Sequence, residues 1–82
     1  MNKFDLAKEL IAFCTVHKIF GDSKIGATTG KITEQLDESW FVEHFIYTLI
    51  VKTKNRENID FKRLKQLLIE LEKIRLDLEY EE

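Results

Sequence analysis

The chain has 82 residues, one cysteine, no proline, and 13 basic against 15 acidic side chains, for a formal net charge of −2. That length gives one domain, residues 1–82, with a thin core. The near-balanced charge gives no global attraction to nucleic acid or to an anionic membrane, and the lone Cys14 excludes an internal disulfide framework.

A first helix is predicted over residues 3–19. Asn2 stands where an N-cap belongs, and Asp5 suits the positive end of the dipole. Phe4, Ala7, Leu10, Ile11 and Cys14, with Lys18 closing the series, recur at helical spacing, and Leu6, Phe13 and Val16 widen that face. Gly21 is the expected C-terminal stop after Phe20. Asp5, Lys8 and Glu9 interrupt any apolar run of the signal-peptide type, so the chain reads as cytoplasmic, with Cys14 a buried reduced thiol.

All three glycines, at 21, 26 and 30, fall in the next stretch. Residues 21–32 are therefore expected to form one long loop, which Ile25 and Ile32 could pin to the core. The segment Gly26–Ile32 departs from a P-loop at three points. It has three residues between its glycines, Ile32 after the lysine, and a helix rather than a strand upstream.

A second helix is predicted over residues 37–54, with Asp37 and Glu38 at its positive end and Lys52 and Lys54 at its negative end. Trp40, Phe41, Val42, Phe45, Ile46, Tyr47, Leu49, Ile50 and Val51 make it apolar nearly all round, as for a helix central to a core or shared between subunits. The β-branched content of Phe45–Thr53 leaves a strand as the competing reading. The apolar run Phe45–Val51 is far shorter than the ~20 residues a bilayer span needs.

A short polar turn then leads to a third helix over residues 60–80, antiparallel to the second. Asp60 is its expected N-cap, and Ile59 and Leu64 stand at the positions of a hydrophobic staple. Leu64, Leu67, Leu71, Ile74 and Leu78 mark an a/d seam, widened by Phe61 and Leu68. The fold class is thus all-α: a three-helix bundle with a long helix 1–2 loop and an extended amphipathic C-terminal helix whose end the shorter helices leave uncovered.

Motifs that would carry chemistry are incomplete. Cys14, His17 and His44 are too few for a zinc site unless a carboxylate such as Glu43 completes it. The run Trp40–His44 lacks the first histidine of H-x-x-E-H. Glu43 and His44 could serve as acid and base if buried, yet no serine or cysteine is paired with a base. The expectation is no enzyme, no cofactor and no metal.

Charge is more informative. Lys52, Lys54, Arg56, Lys62, Arg63 and Lys65 place six positive charges around the second turn, and the chain beyond Gln66 is acidic. This runs against the dipole of the third helix. In the antiparallel hairpin, like charges collect at each tip. Two copies packed antiparallel would bring each basic tip to an acidic one. Ile69 and Leu76, seven apart and off the seam, would give the apolar contact, with Asp77 and Glu79 beside them. The functional expectation is a small interaction protein of bacterial or phage type, an inhibitor, immunity or antitoxin-like partner or adaptor, with an antiparallel homodimer as one form. The alternative is a DNA- or RNA-binding regulator using residues 52–65.

Overall fold

The computed structural model describes residues 1–20, 32 and 34–80. Among the described residues the protein is all-α, and its three long helices are α1 (Lys3–Val16), α2 (Ser39–Thr53) and α3 (Phe61–Tyr80). The expected loop lies outside the described residues, apart from Ile32, which is buried as anticipated. Phe45–Thr53 is helical, not a strand.

Local capping chemistry sets where α1 and α3 begin. The Asn2 side-chain oxygen accepts from the Asp5 N–H at 2.8 Å, and Asp60 Oδ1 accepts from the Arg63 N–H at 3.0 Å. Each satisfies one donor that a helix start would otherwise leave unpaired. Ile59 and Leu64 flank the second cap and are both buried in the core, as a hydrophobic staple requires. In contrast, α2 starts at Ser39 rather than at 37, with Glu38 as an N-cap that makes no side-chain bond.

The end of α1 corrects the sequence expectation. The helix stops at Val16, not Ile19, and Lys18 takes the left-handed turn (φ 51°) that was expected of Gly21. The Lys18 N–H donates to the Thr15 carbonyl at 3.3 Å and the Ile19 N–H to the Cys14 carbonyl at 3.0 Å. This is the 5→2 and 6→1 pair of a Schellman cap. Ile19, at the position whose apolar contact usually accompanies that cap, is buried. Phe20 then lies against α2, its ring 5.9 Å from that of Phe45.

The core is formed by Leu6, Leu10 and Phe13 of α1, Val42, Phe45 and Leu49 of α2, and Leu64, Leu67 and Leu71 of α3, joined by Ile32 and Leu36. Three residues assigned to the core from spacing lie outside it: Phe4, Val16 and Phe61 are exposed. Each stands at a helix end, where the neighbouring helices offer little to pack against. Phe4 instead takes the Lys8 ammonium over its ring at 4.9 Å. The one buried polar side chain among the described residues, Thr53, donates to the Leu49 carbonyl at 2.7 Å.

The three helices span ~21, ~22 and ~30 Å at 1.5 Å per residue, so α3 outruns its neighbours. Burial follows that geometry. Leu64, Leu67 and Leu71 are buried, Ile74 and Leu78 are half-buried, and Tyr80 is exposed.

Candidate interaction surface

Two arginines tie the charged ends of α3 into the monomer through ion pairs that the sequence alone did not show. Near the basic end, Arg63 pairs with Glu9 of α1. Near the acidic end, Arg75 pairs with Glu72 and with Glu79 on its own helix and reaches Glu43 of α2 at 3.5 Å. The last contact joins the first half of α2 to the last half of α3, the antiparallel hairpin expected. Hydrogen bonding from Arg75 holds the Glu72 carboxyl below its ordinary range, and the same pairings raise the guanidinium further. The collection of like charge at the tips is therefore partly neutralised within one chain. The dipole mismatch persists, since α3 has no acid in its first turn and no base in its last.

A cleft of about 170 Å³ opens between α1 and the start of α3, lined in part by Glu9, Phe13, His17, Asp60 and Arg63. Its polar groups are spent on joining the two helices. Glu9 is paired with Arg63. His17 Nε2 accepts from the Asp60 N–H at 3.5 Å, while its ring lies 4.4 Å from that of Phe13. Burial pushes the neighbouring Cys14 thiol up to about 12. That favours the neutral thiol over the thiolate a metal or a nucleophilic reaction requires. Among the described residues, no three His, Cys, Asp or Glu side chains are grouped to hold a metal ion.

Of the sequence-selected cations, Lys52, Lys54, Arg56, Lys62 and Lys65 are exposed around one tip. Arg63 is drawn away to Glu9. Of the selected interface residues on α3, Ile69 and Leu76 are 47% and 39% exposed, Asp77 is exposed, and Glu79 is held by Arg75 at 2.6 Å. Ile69 and Leu76 share the outward side of α3 with Lys62, Lys65 and Lys73.

The larger apolar surface is on α2. Trp40 is 59% exposed, Tyr47 66%, Ile50 47% and Val51 50%. At 3.6 residues per turn these four fall on one strip, opposite the strip carrying Val42, Phe45 and Leu49 into the core. Glu43 and His44 lie in the same outward strip, exposed rather than buried. The sequence signalled this surface as an excess: α2 is more apolar than one buried face can use. That signal pointed to a shared helix but was not converted into residues.

No helix among the described residues is long and apolar enough to cross a membrane. Comparison with family models, curated proteins and solved structures finds no match to this chain.

Proposed function

We propose that this protein is a small, non-enzymatic protein-interaction module, acting in the cytoplasm of a bacterium or its phage as an inhibitor, immunity or antitoxin-like partner, or adaptor. It works through outward helical faces. The observation that carries this reading is the strip Trp40, Tyr47, Ile50 and Val51 on α2, four large side chains facing solvent on a helix whose other side is already buried. Tryptophan and tyrosine are among the residues most enriched where binding energy concentrates, and exposed apolar side chains gathered on one side of a helix and rimmed by polar residues are a mark of interaction sites. An amphipathic helix offering anchors at i, i+7 and i+11 is a recurrent mode of protein recognition.

The test is capture from a lysate of the encoding organism by immobilised wild type, Trp40→Glu and Tyr47→Glu, with folding checked by circular dichroism. A protein held by wild type and released by both variants, then bound again when purified, supports the reading. Capture unchanged by these variants and by Ile69→Glu with Leu76→Glu contradicts it.

A second reading has its own observation: the five exposed cations around one tip, Lys52, Lys54, Arg56, Lys62 and Lys65. They would pair with phosphates of DNA or RNA. Changing Lys54, Arg56 and Lys62 to Gln should then reduce the salt slope of binding by ~0.9 for each phosphate no longer neutralised.

A further inference from the structure

We infer that the basic tip of the α2–α3 hairpin binds single-stranded nucleic acid, with the Phe61 ring stacked on an unpaired base. This rests on the nucleic-acid reading and names the form of nucleic acid bound.

Helical phase brings the residues together. Glu43 of α2 and Arg75 of α3 meet at 3.5 Å across the hairpin, so the strips on which they stand face one groove. Lys54 follows Glu43 by eleven residues, three turns, and lies on the same strip of α2. Phe61 precedes Glu79, which Arg75 also binds, by eighteen residues, five turns. Lys65 stands one turn beyond Phe61. Lys54, Phe61 and Lys65 therefore gather at one end of the groove whose other end holds Glu43 and Arg75. Lys62 neighbours Lys65 at i,i+3, and Arg56 lies in the connecting turn, its N–H donating to the Thr53 carbonyl at 3.2 Å. Lys52 shares the phase of Phe45, on a different side of α2, and takes no part.

Charge complementarity sets the class of ligand. Residues 52–65 hold six bases and two acids, a net +4 on a chain of −2. Lys54, Arg56, Lys62 and Lys65 are exposed, and none is ion-paired among the described residues. Of the two acids, Asp60 is engaged by the Arg63 N–H as the cap of α3, which leaves Glu57. With no acid in its first turn, α3 adds the positive end of its dipole at the same place. Like charge gathered in this way is unfavourable in the free chain and favourable against a row of phosphates.

The ring selects the form of that ligand. Phe61 fits the seam of α3 by spacing, yet it is 49% exposed among these cations. An exposed aromatic ring flanked by cations is the arrangement that holds single strands with little regard to sequence: the cations follow the backbone and the ring takes a base. Paired bases inside a duplex are stacked on one another and offer such a ring no free face. A duplex would meet the cations alone.

The experiment is fluorescence anisotropy of a labelled oligothymidine of ~12 nucleotides, alone and annealed to its complement, with the full chain at ~20 and ~150 mM salt. The single strand should bind about tenfold tighter than the duplex at the lower salt. Phe61→Leu, which keeps the apolar bulk and removes the ring, should weaken single-strand binding about tenfold at unchanged helicity and leave duplex binding as it was. Phe61→Trp should retain the wild-type affinity. Lys54→Gln with Lys65→Gln should reduce the single-strand salt slope by ~0.7 for each phosphate no longer neutralised. Equal affinity for strand and duplex, with neither altered by Phe61→Leu, would overturn the inference while the nucleic-acid reading stands. Binding to neither at ~20 mM salt would overturn both. Binding to phosphatidylserine vesicles but not to the strand would overturn both as well, and make the tip a membrane contact.

Discussion

Arg75 of α3 reaches Glu43 of α2 at 3.5 Å while also binding Glu72 and Glu79. One cation thus closes the open end of the hairpin, where three carboxylates would otherwise repel across it. Arg75→Ala should lower the thermal midpoint by less than a core truncation does, and Arg75→Lys should fall between, since a point charge cannot span the three carboxylates as a guanidinium fork does. Thermal denaturation of the two variants checks the order.

The same contact gives a pH dependence. Arg75 holds the folded-state Glu72 carboxyl below its ordinary value. A depressed carboxylate contributes stability that is fully present above its unfolded value, ~4.3, and is lost as pH falls through the folded one. Stability measured from pH 6 downward should therefore fall less steeply for Glu72→Gln than for wild type. Identical slopes would contradict the pairing.

Cys14 acts at the opposite end of the scale. Burial raises its thiol from 9.0 to about 12, so the folded chain retains a proton that the unfolded chain releases. The stabilisation is complete below pH 9 and diminishes by about 1.4 kcal/mol per pH unit from there until the folded thiol itself ionises. Cys14→Ala should flatten alkaline denaturation relative to wild type over that window. The wild-type thiol should also react with a disulfide reagent only slowly, at a rate set by opening of the fold.

Lys18 holds φ 51°, a conformation that costs a residue with a Cβ about 1–2 kcal/mol. Lys18→Gly should therefore stabilise the protein by about 1 kcal/mol, or about 4–8 °C in a domain of this size. Destabilisation by the glycine would show that the Schellman turn is not the end of α1.

Core truncations should follow the uneven cover of α3. Leu71 is fully buried and Leu78 only half-buried. Leu71→Ala should cost about 2–5 kcal/mol, a large share of the ~4–12 kcal/mol available to a chain of this length. Leu78→Ala should cost well under half as much. Urea denaturation of the two variants decides it.

Helix starts and the α3 seam were legible because their causes are local. Asn2 and Asp60 each bond a backbone N–H three residues on, and Leu64, Leu67 and Leu71 repeat at one helical spacing. The end of α1 was misplaced because Gly21 is the more conspicuous stop. The working signal was Ile19, an apolar residue that the cap buries. Phe4, Val16 and Phe61 fit helical periodicity yet are exposed, since periodicity reports a face and not the length of the helix opposite it. The partners of Arg63 and Arg75 come from α1 and α2, or from α3 itself, and only the packed fold brings Glu9 and Glu43 to them. The α2 surface was half-legible. An all-round apolar helix implied a second contact, but choosing Trp40, Tyr47, Ile50 and Val51 over Ile69 and Leu76 required knowing which side of α2 the core takes.

Trp40 is the single tryptophan and sits in the surface on which the functional account depends. Its fluorescence reports the occupancy of that surface as a partner captured by the wild-type chain is titrated in. The account predicts solvent-exposed emission from the chain alone and a shift to shorter wavelength as the captured partner is added, absent in Tyr47→Glu. Emission that a bound partner leaves unchanged, in wild type and in Tyr47→Glu alike, would contradict it.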